Sequence, residues 1–182
     1  MVETAKYDVA LKEGEYEIRQ YPKMLVATAT GTAGQFNRLF QYISGRNKSK
    51  SKIAMTSPVI TSEKIAMTAP VLSRGDKMSF AMPSDYDADT VPEPTDPTVL
   101  IEEIPERHVA TIRFRGLAWR NEVRQRTESL LDWLSQKGLE VRGEPFLMQY
   151  NPPFVPGFLR RNEVGVEIDY SENNKAERKG KE

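Results

Sequence analysis

The sequence predicts an α+β fold: antiparallel strands with helices packed on one side, built from a β-α-β-β unit used twice. Three observations predict it. A segment recurs at a fixed offset, an amphipathic helical stripe follows each copy, and alternating strands follow each helix. Residues 18–28 line up with residues 101–111 at an offset of 83 without a gap, and five of the eleven positions are identical (Ile, Pro, Val, Ala and Thr).

Each copy begins with a β-rich Val-Ala-Thr strand that follows Pro22 or Pro105. The short run Gly31-Thr32-Ala33-Gly34 reads as a strand-to-helix turn. The first helix then places Phe36, Leu39, Phe40 and Ile43 at i, i+3, i+4 and i+7, with Gly45 at the C′ position. The second carries a longer stripe of Trp119, Val123, Leu130, Leu131 and Leu134, closed by Lys137 and Gly138. The closing glycines are 93 residues apart, ten more than the repeat offset, which predicts two to three extra turns in the second helix at about 3.6 residues per turn.

Strands follow each helix. Residues 77–82 alternate with Met78, Phe80 and Met82 on one face, residues 145–150 form a strand, and residues 163–169 turn Val164, Val166 and Ile168 inward. A shorter duplication lies between: Lys-Ile-Ala-Met-Thr at 52–56 recurs at 64–68, each followed two residues later by Pro-Val. It reads as two related edge segments joined by a turn at 61–63. Residues 84–97 hold five acids, three prolines and no base, and read as an exposed loop. The reading is therefore one domain over 1–170, with halves at 7–83 and 98–170, and a disordered tail at 171–182 whose single apolar residue is Ala176.

Composition narrows the function. The chain has 182 residues, with 26 Lys+Arg against 26 Asp+Glu, so it lacks the basic excess of a general nucleic-acid binder. With no cysteine, it excludes disulfides, thiolate catalysis, iron–sulfur clusters and Cys-type zinc sites. His108 is the single histidine, so no site with two His ligands can form. No apolar run reaches transmembrane length and the N-terminus is not signal-like, so a soluble, cytoplasmic protein is expected. There is no Walker A or Gly-x-Gly-x-x-Gly motif, and Glu102 and Glu103 point to opposite faces of a strand. No catalytic residue is assigned.

Three separated motifs carry a resemblance. They are the Tyr-Glu-Ile-Arg-Gln-Tyr-Pro start at Tyr16, the Lys-Ile-Ala-Met-Thr-Ala-Pro-Val run at 64–71, and the segment from Tyr150-Asn151-Pro152-Pro153-Phe154 through Phe158-Leu159-Arg160-Arg161-Asn162-Glu163-Val164. In this order, over 7–170, the chain resembles the SOUL haem-binding protein family. The resemblance implies a twisted, barrel-like antiparallel sheet flanked by two helices with pseudo-twofold symmetry. It also implies haem or another tetrapyrrole as ligand, held between the first helix and the loop joining the last two strands.

A tetrapyrrole needs a broad apolar surface and cations for its propionates. The residues at the implied place are Phe36, Leu39, Phe40 and Ile43, facing Phe154, Val155 and Phe158. The helix positions equally fit a core face. Arg160 and Arg161 are the better propionate candidates because a guanidinium pairs with a carboxylate in a planar, bidentate manner. Lys52 is a further cation, and Arg38, Arg46, Lys48 and Lys50 lie nearby in sequence. His108 is the axial ligand by chemistry, yet it shares a strand face with Ala110, Ile112 and Phe114, which fits a structural histidine. The family's histidine ligand, nearer the first helix, has no counterpart here. Met55, Met67 and Tyr42 are the remaining ligand candidates. Alternatives on the same scaffold are a small-molecule effector module, and a hydrolase needing an inward Glu17 or Glu167 with a raised pKa.

Overall fold

The computed structural model describes residues 2–50 and 62–170. In chain order the strands are β1 (Glu3–Thr4), β2 (Asp8–Glu13), β3 (Tyr16–Tyr21), β4 (Met24–Thr30), β5 (Asn47–Lys48), β6 (Thr68–Ala69) and β7 (Val71–Arg74). They continue as β8 (Lys77–Ala81), β9 (Glu93–Pro94), β10 (Val99–Ile104), β11 (Arg107–Arg115), β12 (Glu140–Val141), β13 (Phe146–Gln149) and β14 (Arg161–Asp169). Helix α1 spans Gln35–Ile43 and α2 spans Arg120–Gln136. Lys52, Met55, the first copy of the short duplication and the tail after Tyr170 lie outside the described residues.

Ten strands form one curled antiparallel sheet, a half-barrel with the order β10-β4-β8-β7-β13-β14-β11-β3-β2 and β12 added on β14. The sequence repeat is visible in its register. Val26 pairs with Glu102 across β4 and β10. Moving each by the repeat offset gives Val109 and Arg19, which pair across β11 and β3. The two contacts are thus copies of one contact related by pseudo-twofold symmetry. They also exchange strands: β3 of the first half completes the sheet of the second, and β10 of the second completes that of the first.

The helices cover one face of the sheet. α1 seats on β4, β8 and β10, where Leu39, Tyr42 and Ile43 close a core with Ala27, Phe80 and Val99. α2 seats on β11 and β14, where Leu130 and Leu134 meet Ala110, Ile112, Val164 and Val166. α1 has 9 residues and α2 has 17, a difference of about two turns. Both close on a left-handed glycine, Gly45 at φ 119° and Gly138 at φ 62°, conformations a side chain would strain.

On the opposite, concave face the alternate residues of the same strands form a third cluster with Tyr21, Val109, Phe146 and Met148. Period-two alternation places Arg19 on β3 and Glu163 on β14 on this face. The strand expected at 145–150 is observed as β13, and the one expected at 163–169 begins two residues earlier. Of the 64–71 run, Thr68 and Ala69 form β6, and Val71 opens β7.

Candidate functional site

A cleft of ≈ 190 Å³ opens where the first turn of α1 faces the segment after β13. Phe36, Met67, Met78, Pro152, Pro153 and Arg160 are among its lining residues. The structure therefore brings together one sequence-predicted residue of the first helix and one of the last loop.

Helical periodicity divides the predicted stripe of α1. Leu39 and Ile43 point into the core at 0 % and 4 % exposure and offer no surface to a ligand, so their reading as ligand contacts is corrected to core. Phe36 and Phe40 occupy the outer edge, 39 % and 47 % exposed. Their rings stack at 6.1 Å, and Phe36 also meets the Phe80 ring edge-on at 5.4 Å. The core thus fixes Phe36 from below while leaving the Phe40 face open.

The loop from Asn151 to Arg160 is rigid for identifiable reasons. Three of its residues are proline, and a short 3₁₀ turn spans Gly157–Leu159. Arg160 Nε donates to the Val155 carbonyl at 2.8 Å, and its Nη2 donates to the Pro153 carbonyl. Asn151 Oδ1 accepts the Arg161 amide at 2.6 Å. Arg160 therefore braces the loop while also lining the cleft. Phe154 and Phe158 do not line the cleft; they stand on the outside of the loop, 85 % and 74 % exposed.

Arg161 is committed elsewhere. Its Nη2 and Nε bond Glu163 Oε1 at 2.5 and 3.0 Å, and its guanidinium lies 4.0 Å from the Tyr150 ring centroid. This corrects its reading as a free propionate cation, because its charge is already matched. Arg38 is also engaged, with the Thr98 hydroxyl and the Thr30 carbonyl, both at 2.8 Å. Lys50 bonds the Ala88 carbonyl at 3.1 Å.

His108 lies away from the cleft. It pairs with Gln20 and Ile168 at the end of the α2-covered face, half-buried, its ring 5.4 Å from that of Tyr170. Tyr42 is buried with its hydroxyl donating to the Pro92 carbonyl at 2.8 Å, which removes it as a ligand candidate. Met67 does line the cleft. Among the described residues no group of three or more His, Asp or Glu side chains could hold a metal ion.

A charged cluster absent from the sequence reading lies beside the cleft. Arg19 is 1 % exposed and Glu163 0 %. Their pairing is bidentate, Nη1 to Oε2 at 2.5 Å and Nη2 to Oε1 at 3.0 Å. Arg19 Nε donates to Glu17 at 2.7 Å, and the hydroxyl of Tyr150, a cleft residue, donates to Glu163 at 2.8 Å. Burial alone would raise the Glu163 pKa, but hydrogen bonds and charge from Arg19 and Arg161 outweigh it and hold the carboxyl below its ordinary range. Glu17 is likewise lowered: burial opposes, and Lys12 and Arg19 prevail. A general acid needs the opposite shift, so neither Glu163 nor Glu17 is poised for that role. Only the alternation of β3 and β14 hinted at this cluster, since its members lie 144 residues apart.

The described residues thus combine a duplicated α+β sheet with an aromatic cleft between a helix and a proline-braced loop. The family model described as SOUL heme-binding protein matches residues 2–167, and the chain belongs to that family. It is 31 % identical over 170 residues to Heme-binding protein 2 of Homo sapiens, covering 88 % of this chain and 81 % of that protein. It is 29 % identical over 162 residues to Heme-binding protein 1 of Xenopus tropicalis, covering 87 % and 84 % respectively. The fold is shared with the EcmrR C-terminal domain, at TM-score 0.56 and 12 % identity over 91 % of this chain and 99 % of that one. A hydrolase from Listeria innocua shares it at TM-score 0.55 and 12 % identity, covering 88 % and 94 %. At such identity these two likenesses concern the fold alone. Among the described residues no helix is long and apolar enough to cross a membrane.

Proposed function

We propose that this chain binds haem or a related tetrapyrrole reversibly and acts as its carrier or buffer. The observation that carries the reading is the convergence of the Phe36–Phe40 edge, Met67, a proline-rich loop and Arg160 on one surface. Membership in the SOUL heme-binding protein family and the names of its relatives support haem as the ligand.

The residues fit such a ligand. Stacked aromatics and prolines give a flat apolar platform, and the Arg160 guanidinium can donate a charge-assisted hydrogen bond to a propionate. The cleft, at ≈ 190 Å³, is below the range of about 300–1,000 Å³ that encloses a drug-sized ligand. A macrocycle would therefore lie across it, partly open to solvent, with Phe154 and Phe158 as an outer apolar rim. When bound, haem supplies a redox-active iron whose absorbance reports its ligation. Met67 offers a thioether for that iron, a weaker anchor than histidine, and an open site of this kind predicts affinity in the micromolar range or looser, about −8 kcal/mol or weaker. The chain's lack of cysteine fits a reducing compartment such as the cytoplasm.

Hemin titration followed by Soret absorbance tests the reading. Wild type is expected to show a saturable one-to-one shift that His108→Ala retains. The double variant Phe36→Ser/Phe40→Ser weakens binding at least about tenfold, the equivalent of 1.4 kcal/mol. Absence of a saturable shift in wild type overturns the haem reading; loss in His108→Ala alone overturns the assignment of the surface.

A further inference from the structure

The exposed aromatic side chains gather at one end of the molecule and continue beyond the cleft. Phe154, Phe158 and Leu159 on the loop are 85 %, 74 % and 54 % exposed, and Leu117 and Trp119 before α2 are 40 % and 69 % exposed. The two groups abut. An added Cβ at Gly157 would fall 2.9 Å from Leu117 Cδ2, and the Gly116 amide donates to the Arg160 carbonyl at 3.0 Å. Scattered exposed apolar residues are ordinary, but a contiguous group of this size marks a contact surface.

The charges around it that lack an ion-pair partner are cationic. No acid occurs in residues 107–121 or 145–162. Arg113, Arg115 and Arg120 are exposed and have no ion pair among the described residues. Arg115 stands two residues before Leu117, and Arg120 directly follows Trp119. The acids that reach this end, Glu15 and Glu122, are both paired with Arg126. The whole chain is electroneutral, so this cationic end is a local feature.

We propose that this end docks on an anionic lipid bilayer, with the phenylalanines, Trp119 and the leucines entering the headgroup region and the arginines meeting lipid phosphates and carboxylates. Charge complementarity selects the occupant. Tryptophan and phenylalanine favour the membrane interface, and basic side chains beside them draw the surface toward acidic lipid. The contact is peripheral, since Trp119 caps α2 and the surrounding backbone is tied into the sheet. It goes beyond the haem reading, placing the cleft next to the phase in which a tetrapyrrole dissolves.

Flotation with vesicles tests it, using phosphatidylcholine alone or phosphatidylserine and phosphatidylcholine in roughly 1:2 proportion. The full chain is expected to float with the anionic vesicles at least about tenfold better than with the neutral ones, and less well as salt screens the arginines. Leu117→Ser/Trp119→Ser, which alters no residue of the haem surface, is expected to abolish flotation while leaving its hemin titration as in wild type. Arg115→Gln/Arg120→Gln loses the preference for anionic vesicles, by roughly fivefold per arginine. Failure of wild type to float with the anionic vesicles overturns the proposal, as does equal flotation of wild type with both compositions. A dimer in solution that dissociates in Leu117→Ser/Trp119→Ser assigns the surface to a second copy and also overturns it. A failed hemin titration with normal flotation leaves this proposal standing and removes only the haem reading.

Discussion

Replacing Arg19 with methionine removes one partner from a charge pair that the sheet seals from water. Arg19 and Glu163 are 1 % and 0 % exposed, and Glu163 accepts two hydrogen bonds from Arg19 at 2.5 and 3.0 Å. Breaking a buried pair of this kind from one side costs about 3–5 kcal/mol, because the remaining charge keeps its desolvation penalty. Glu163 would still have Arg161 at 2.5 Å and the Tyr150 hydroxyl at 2.8 Å. Those partners soften the loss, so the expected cost for Arg19→Met is near the lower end, about 3 kcal/mol. For a domain of this size that is a fall in Tm of about 6–12 °C. Urea unfolding near neutral pH reads it as a lower midpoint at unchanged slope. The double variant Arg19→Met/Glu163→Met removes both charges, and its cost is expected to fall short of the sum of the single costs by at least about 1 kcal/mol. A single-variant loss below about 1 kcal/mol, or strict additivity, refutes the view that this pair is desolvated and coupled.

Glu163 and Glu17 have carboxyl pKa values below their ordinary range, so their stabilisation is present above the unfolded value of about 4.3 and is lost as pH falls through the lower folded values. Urea midpoints should therefore drop steeply below about pH 4.3, and Glu163→Gln should flatten that drop while lowering the neutral midpoint. On α1, Leu39→Ala should cost about 2–5 kcal/mol with little direct effect on hemin binding, because Leu39 is fully buried. Phe40→Ala, at a position 47 % exposed, should do the reverse: a stability change within about 1 kcal/mol and a weaker hemin titration.

Much of the architecture was legible because it rests on local period and repetition. The offset of 83 between Ile18 and Ile101 reappears in the bounds of β3 and β10, and in the starts of β4 and β11. The ten extra residues before Gly138 reappear mostly as the greater length of α2. Alternation at Val164, Val166 and Ile168 marked them as facing inward, and they lie in the core with Leu130 and Leu134 of α2. These features depend on 3.6- and 2-residue periods, which a chain displays before it folds.

The division of labour within the candidate site was decided by tertiary structure. Phe36 and Leu39 belong to one apolar stripe in sequence, and only the seating of α1 on β4 and β8 buries one and leaves the other at a cleft. Arg160 and Arg161 are chemically identical neighbours, yet the first braces the loop and reaches the cleft while the second is neutralised by Glu163. Arg19 and Glu163 are 144 residues apart, and two unrelated strands must pair with β11 before those charges meet. The repeated strand starts, both helices and the apolar faces of 77–82 and 163–169 could be read from the chain because period and repetition are local properties. Which apolar edges stay open, and which charges find partners, depends on the distances of closest approach between distant segments, and those exist only once the sheet has curled.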